Sequence, residues 1–472
     1  MFQKYFADWK IHAIAFVMVI VAELISRQDF VFGPVGFALF PMLYVLVFGI
    51  VLASIKVFSM KTMVTAAPYI GISVALLVAK VGSGIGPNLR LILDAGIVLI
   101  VQEFGNAGVL LAMPAAIFIF KMGRQAVGAS FSISREACLA IIGNMYGLES
   151  PEGQGVMGSY ITGTLFGTLF CGILASLTLS TGLFHPFALA IASATGSASM
   201  MVAQLAPIVD AYPHLETELS ALAASSQMIT SLTGMYFSLF ITLPIANWMY
   251  KRFNGAERHA RAEAARLAKL TPKAKEKEAK RELAAAKALE EENAAKAELK
   301  KEELGIWVTR VKVLVISAVF ASIGNMMFGM RTGAARVWMP WEVAPALIMI
   351  VLVVLFGLFV DEMARKKLGL KLPSIIYVSL TAVILSIPDV AIGGLEIGRY
   401  FAAETAKVGL LPLCTPILAY AGVSIGKDLE GFKKQGLGIV VVALICFVGT
   451  YLASAVIANV LLPIFGIGGY VL

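Results

Sequence analysis

Polar side chains are scarce in the long apolar runs of this sequence, so the runs that hold them mark where chemistry is possible. The densest is ALAIASATGSASMMVAQLAP, Ala188 to Pro207, in which Ser193, Thr195, Ser197 and Ser199 surround Gly196. Glycine and β-branched residues weaken a helix, and backbone groups freed inside a bilayer need protein or water as partners. The composition therefore predicts a helix broken near Gly196. The amino-terminal end of its second half would offer N–H groups and hydroxyls to an anion. Gln204 adds an amide, and Ser225, Ser226 and Gln227 put two hydroxyls and a second amide in the next apolar segment. A small-residue face for close helix packing is the alternative reading of the same residues.

Carboxylates inside apolar segments are the candidates for coupling to an ion, because a charge at depth is costly and usually has a task or a partner. Glu103 precedes Phe104-Gly105-Asn106, an expected break, and is the first candidate, with Asn106 beside it. Asp94 is the second. KVGSGIGPNLRLILDAG, Lys80 to Gly96, holds three glycines and Pro87 before its last residues and is expected to unwind, leaving Asn88 free to coordinate. Its alternative reading is an exterior loop whose Arg90 and Asp94 pair at i,i+4. Glu23 stands four residues from Arg27 and is expected in an interfacial ion pair. QAVGASFSISREACLAIIG, flanked by Arg124 and containing Arg135 and Glu136, reads as an amphipathic stretch resting along the interface.

The sequence lacks enzyme hardware. It has no Walker A motif, its four histidines form no HExxH pair, and Cys138, Cys171, Cys414 and Cys446 lack metal-ligand spacing. No metal or cofactor is expected beyond a coupling Na⁺ or H⁺, and transport is the activity left. An intramembrane enzyme is the class these absences disfavour.

The elements that must carry these residues are membrane helices. Of 472 residues, 59% are hydrophobic, and the charged ones concentrate in Lys251–Gly305. Three regions follow: a membrane block 1–250, a charged helical insert 251–305 and a second membrane block 306–472. The expected fold is an all-α polytopic membrane protein of about thirteen spans. The spans are His12–Ser26, Gly33–Ile55, Thr62–Val81, Leu89–Glu103, Ala107–Phe120, Gln154–Leu179, His185–Val209, Met228–Tyr250, Ile306–Phe328, Val343–Val360, Leu372–Ile387, Val408–Gly422 and Leu437–Ile457. Basic residues in short loops put the amino terminus and the insert in the cytoplasm, with Lys80 among those left outside. The net charge of +8 thus reflects loops facing anionic lipid rather than a nucleic-acid partner. The insert is expected to form two exposed helices broken at Thr271-Pro272.

A repeat is visible. GFALFPMLYVLVFGIVL from Gly36 aligns without gaps to GLKLPSIIYVSLTAVIL from Gly369, matching Gly36/Gly369, Leu39/Leu372, Tyr44/Tyr377 and Val45/Val378. Glu103 and Gly108 pair with Glu404 and Gly409, and Gly123 with Gly426 across a short gap. On the expected topology the copies are inverted, a signature of carriers whose half-helices meet at the midplane. Chance likeness between apolar helices is the alternative.

The Ala188–Pro207 and Ala221–Phe240 segments, closing in IANWMYKRF, resemble the carboxyl-terminal end of the 2-keto-3-deoxygluconate permeases. LLPLCTPILAYAGVSIGKDLEGF, Leu410 to Phe432, resembles the proline-to-GxxxDL helix of that family. As a whole the chain is similar to an uncharacterised bacterial membrane family beside those permeases, within the cation/proton antiporter and anion transporter superfamily. It departs in length, in its insert and in the order of its blocks. The resemblance implies inverted repeats with broken helices, an elevator-type carrier and a homodimer in the bacterial inner membrane. The function expected is uptake of a small organic anion, a sugar acid or other carboxylate, with Na⁺ or H⁺; a cation/proton antiporter without organic substrate is the alternative.

Overall fold

In the computed structural model the described residues are 8–32, 35–131, 136–147, 150–267, 280, 283–284, 286–297, 305–332, 339–369, 374–391, 396–428 and 436–467. The chain opens with α1 (Trp9–Ile25), an antiparallel strand pair β1 (Gln28–Phe32) and β2 (Val35–Leu39), and α2 (Pro41–Ser54). The span expected over Gly33–Ile55 thus begins with strand Val35–Leu39 and is helical only over Pro41–Ser54. Aromatic and β-branched residues flank Gly33-Pro34 and favour extended backbone, so helix begins only at Pro41.

Next come α3 (Met60–Ile85), α4 (Gly96–Ile119, interrupted at Gln102–Gly108), the short α5 (Gln125–Phe131) and α6 (Glu136–Met145), and α7 (Pro151–Ser180). They are followed by α8 (Pro186–Ala192), α9 (Ala198–Ala211), α10 (Glu216–Phe237) and, past a π-helical turn at Ser238–Thr242, α11 (Leu243–Arg252). The insert contributes α12 (Gly255–Leu267) and helical residues 286–297, where Lys296 and Glu292 pair at i,i+4. The expected break at Thr271-Pro272 lies outside the described residues. The second block holds α13 (Ile306–Met330), α14 (Pro340–Leu368), α15 (Ser374–Ser386), α16 (Ile397–Thr405), α17 (Leu410–Asp428) and α18 (Leu437–Ile464).

Among the described residues seven helices are long and apolar enough to cross a membrane: α3, α4, α7, α13, α14, α17 and α18. Leu89–Glu103 and Ala107–Phe120, expected as two spans, fall largely in the one interrupted helix α4. On α14 a line of Ile348, Leu352, Phe356 and Phe359 is exposed while Ile350, Val354 and Asp361 are buried, the pattern of a helix with one face to lipid. Lipid tails are as apolar as leucine, so close van der Waals fit must hold such helices together. Gly49 of α2 supplies it: a Cβ there would stand 2.3 Å from the Gly422 Cα of α17.

Helix directions follow from neighbours. The α7 and α9 helices run side by side in the same direction, since the space at Gly167 is filled by Met200 and that at Gly172 by Ala203. Yet only five residues separate the end of α7 from the start of α8. It must run back against α7 to reach the start of α9. His185, just before α8, donates its backbone N–H to Asn459 near the end of α18, and Asp210, near the end of α9, pairs with Arg27 just past α1. The segment expected as the span His185–Val209 is instead a hairpin that enters from one end of the bundle, turns at Gly196 and leaves by the same end. Gly196 makes the turn, with φ of +100°.

A smaller hairpin enters from the opposite end, where the insert attaches. Arg124, before α5, donates a 3.0 Å bond to Asn247, and Asn247 donates one to the Tyr146 hydroxyl just past α6. Both ends of α5–α6 therefore lie together. Ala126, Val127, Ala129, Phe131, Ile141 and Ile142 are buried, so this stretch does not rest along the interface as expected. Its small residues let it enter the protein. The Lys80–Gly96 segment is likewise corrected: α3 stays helical through Gly82 and Gly84, because Gly82 packs against Ala382 and Ser379 of α15. Lys80 is accordingly a buried helical residue, not an exterior loop cation.

The hairpin makes a sharp prediction. Leu183→Cys and His214→Cys, both exposed and flanking it, should react with a membrane-impermeant thiol reagent from the same face of sealed membranes. Labelling from opposite faces would restore the straight span.

Candidate functional site

The turn between α8 and α9 is closed by its own polar side chains. The hydroxyls of Ser193 and Thr195 donate to the carbonyls of Ala190 and Ala192 at 2.6 and 2.9 Å. Ser226 of α10 donates to the Ile191 carbonyl at 3.0 Å, and the Gln204 amide to the Thr195 carbonyl at 3.3 Å. The carbonyl end of α8 is thus satisfied at once, as burial demands. The amino-terminal end of α9 is more open. Ser197 caps it, accepting from the Met200 N–H, and lies 3.0 Å from the Ser199 hydroxyl, which Thr168 of α7 approaches at 3.5 Å. Gln204 Oε1 is buried without a hydrogen-bond partner among the described residues.

Glu103 sits in the interruption of α4, only 1% exposed, and Gln102 beside it is wholly buried. Its Oε1 accepts from Gln102 Nε2 at 2.9 Å and from the Thr230 hydroxyl of α10, and its Oε2 accepts from Asn106 Nδ2 at 2.8 Å. Ser454 of α18 in turn donates to Gln102 Oε1. Among the described residues no lysine, arginine or histidine lies within ion-pair distance of Glu103. Every partner is neutral. The interruption lies tight on α18, where a Cβ at Gly105 would stand 2.5 Å from the Ser454 backbone and one at Gly108 2.3 Å from the Cys446 carbonyl.

One helix joins the two features. Ser226 and Thr230 share a face of α10, so the hydroxyl on the end of α8 and the hydroxyl on Glu103 stand one helical turn apart, about 6 Å along the axis. The structure thereby gathers Ser193, Thr195, Gly196, Ser197, Ser199 and Gln204 at the turn and joins its Ile191 carbonyl, through Ser226 and Thr230 of α10, to Glu103 with Asn106 beside it. It does not gather the rest. Asn88 donates to the Gly84 carbonyl and finishes α3. Asp94 is exposed, and no ion pair joins it to Arg90. Ser225 is buried with its hydroxyl unpartnered among the described residues, and Gln227 lines a separate narrow cavity with Met201 and Ser379.

Sequence reading missed Gln102, Thr230 and Ser454, whose partners lie far along the chain; only their polarity within apolar runs signals them. It also missed a network at the insert end. There Asp8 accepts from Lys312 at 2.6 Å, from His12 at 3.2 Å and from Tyr69. Burial alone would raise the pKa of Asp8, but these bonds outweigh it and hold the carboxyl well below its usual range. At the far end a cavity of about 200 Å³ is lined by Glu23, Arg27, Asp210 and Thr415. Glu23 accepts a 2.9 Å bond from Thr415, and Arg27 pairs with Asp29 and Asp210.

Comparison with known proteins adds one finding. Residues 20–252 match the family described as "Protein of unknown function (DUF3100)", a match that spans both hairpins and Glu103. No curated protein and no solved structure matches the chain. The likeness to 2-keto-3-deoxygluconate permeases therefore rests on the quoted segments alone.

Close packing of the interruption on α18 is testable. Gly105→Ala should destabilise the detergent-solubilised protein by about 1–3 kcal/mol through overpacking, read as a lowered midpoint in thermal circular dichroism. Gly96→Ala, in the same helix with nothing within 4 Å of its Cβ, should change stability by no more than about 0.5 kcal/mol. Equal midpoints would mean that α4 and α18 are not in contact there.

Proposed function

We propose that this protein is a secondary active carrier of a small organic anion, a sugar acid or other carboxylate, driven by Na⁺ or H⁺ across a bacterial inner membrane. The observation that carries the reading is the α8–α9 hairpin, which ends half-way through the bundle one turn of α10 from Glu103. A helix that starts at mid-depth turns the positive end of its dipole toward whatever lies there. Ser197, Ser199 and the first N–H groups of α9 suit a carboxylate, and Glu103 with Asn106 suits the coupling cation. Opposite charges bound so close favour each other's binding, which is the requirement for symport.

The finer architecture belongs to the same proposal. The helices of the matched repeat, α2 and α15, would run in opposite directions, as an inverted repeat requires. The hairpins entering from opposite ends support a moving unit that works against a scaffold, as in elevator-type carriers that act as homodimers. Merging two expected spans and folding another into a hairpin lowers the crossing number below thirteen while keeping the insert on the cytoplasmic side.

A second reading, a cation/proton antiporter without organic substrate, is favoured by the all-neutral surroundings of Glu103. Uptake by proteoliposomes decides between them. Under imposed Na⁺ and H⁺ gradients, a panel of labelled sugar acids and other carboxylates should include at least one that accumulates. Ser197→Leu or Ser199→Leu should lower that uptake about tenfold or more, the equivalent of one lost hydrogen bond of about 1.4 kcal/mol. Cation-driven collapse of a pH gradient with no organic acid taken up would select the antiporter.

A further inference from the structure

We infer that the coupling ion is a proton carried by Glu103, and that Asn106 is the side chain that accommodates its arrival and departure. The inference rests on the carrier reading only in calling the ion a coupling ion; the chemistry at Glu103 stands on its own geometry.

A sodium ion needs several oxygens turned toward one point, and this site turns donors instead. Gln102 Nε2, the Thr230 hydroxyl and Asn106 Nδ2 all donate to the carboxylate, so its two oxygens are already engaged. The remaining amide oxygen of Gln102 is held by Ser454. The obvious alternative source of oxygens is the carbonyl end of α8, and it is closed as well. Ser193, Thr195 and Ser226 occupy the carbonyls of Ala190, Ala192 and Ile191. With both its oxygens engaged by donors, the carboxylate has little left to share with a metal cation.

The same residues accept the protonated state with little motion. A neutral carboxyl group has one O–H to donate and needs an acceptor. Asn106 Oδ1 is buried and has no hydrogen-bond partner among the described residues. A half-turn of the Asn106 amide would replace the N–H₂ facing Glu103 Oε2 with that oxygen. The donor to the ionised form then becomes the acceptor from the protonated form, with no backbone shift. Thr230 is similarly adaptable, because its hydroxyl can turn from Glu103 while still accepting from Gln102 Nε2, 3.4 Å away. Asn106 is the half-buried member of the group, so it also stands on the route by which a proton enters.

Among the described residues no second charged side chain packs against Glu103. The elements packed on Gln102–Gly105 are α18, α10 and the first half of α4. The α18 helix has no charged residue or histidine, and its titratable side chains are Cys446 and Tyr451. The acidic residues of α10, Glu216 and Glu218, lie more than two turns from Thr230, and Glu103 is the one charged residue of α4.

The test is pH-difference infrared spectroscopy of the full-length protein in proteoliposomes, read at the carbonyl stretch of protonated carboxylic acids. Titration should give a buried-carboxyl band that Glu103→Gln removes, that Asp389→Asn leaves in place, and whose midpoint is the same in sodium and choline chloride. Asn106→Leu keeps the carboxylate but removes both its donor and its acceptor, so the band should persist with a displaced midpoint. Should Glu103→Gln fail to fold, that displacement carries the test alone. The inference is overturned if Na⁺ shifts the midpoint, if no band titrates, or if Asn106→Leu leaves the midpoint unchanged. These outcomes separate from the carrier reading: Na⁺-driven uptake of an organic acid would sink the proton and keep the carrier. A titrating Glu103 without uptake of any acid would do the reverse.

Discussion

A chain that stops a helix half-way across a bilayer must find a partner for every backbone group it frees, because lipid offers none. The turn at Gly196 depends on meeting that constraint, and much of the surrounding structure follows from how it is met. Hydroxyls of Ser193 and Thr195 close the carbonyls of their own helix, Ser226 reaches in from α10, and Gln204 folds back from α9. Since α10 must stand close enough for Ser226 to reach Ile191, Thr230 is brought one turn further along, onto Glu103. Glu103 in turn ties the interruption of α4 to α18 through Gln102 and Ser454. Satisfying one broken helix thus assembles the polar centre of the molecule.

The two interruptions both use side-chain donors but aim them at different acceptors. Around Ser193–Ser197 the side chains are donors that quiet carbonyl oxygens and leave the amino-terminal end of α9 open. Around Gln102–Asn106 they are donors gathered on a carboxylate. Glycine makes the second arrangement possible, since Gly105 and Gly108 let the α4 backbone lie directly against α18. An anion held at the first and a proton held at the second would be linked through α10, whose Ser226 and Thr230 stand about one helical turn apart. Such closeness lets each ligand alter the affinity for the other without a long relay.

Much of this was legible in the sequence, and the remainder was hidden for physical reasons. Small and hydroxyl residues around Gly196, and Gly105-Asn106 after Glu103, announce weakened helices by their intrinsic propensities. Direction is another matter. A broken span and a re-entrant hairpin have the same composition, and only contacts such as Arg27–Asp210 tell them apart. The interfacial reading of α5 and α6 failed likewise, because the small residues that mimic an amphipathic surface helix are also those that let a helix enter a crowded interior. Lys80 misled for a further reason: a lysine near the end of an apolar run is normally a loop residue, whereas here α3 continues past it, held by α15. Thr230 and Ser454 stand 127 and 352 residues along the chain from Glu103 and Gln102, which they contact, beyond any local pattern.

The Arg27–Asp210 contact is the most direct expression of the hairpin. Cysteines at both positions, treated in native membranes with a short bis-maleimide, would measure that proximity. A re-entrant hairpin predicts efficient intramolecular cross-linking, seen as a shifted band on denaturing gels that neither single variant produces. A straight span would carry Asp210 to the opposite side of the bilayer, about 30 Å from Arg27. No cross-link in the double variant, with both cysteines shown to be reactive, would contradict the turn at Gly196 and the site assembled around it.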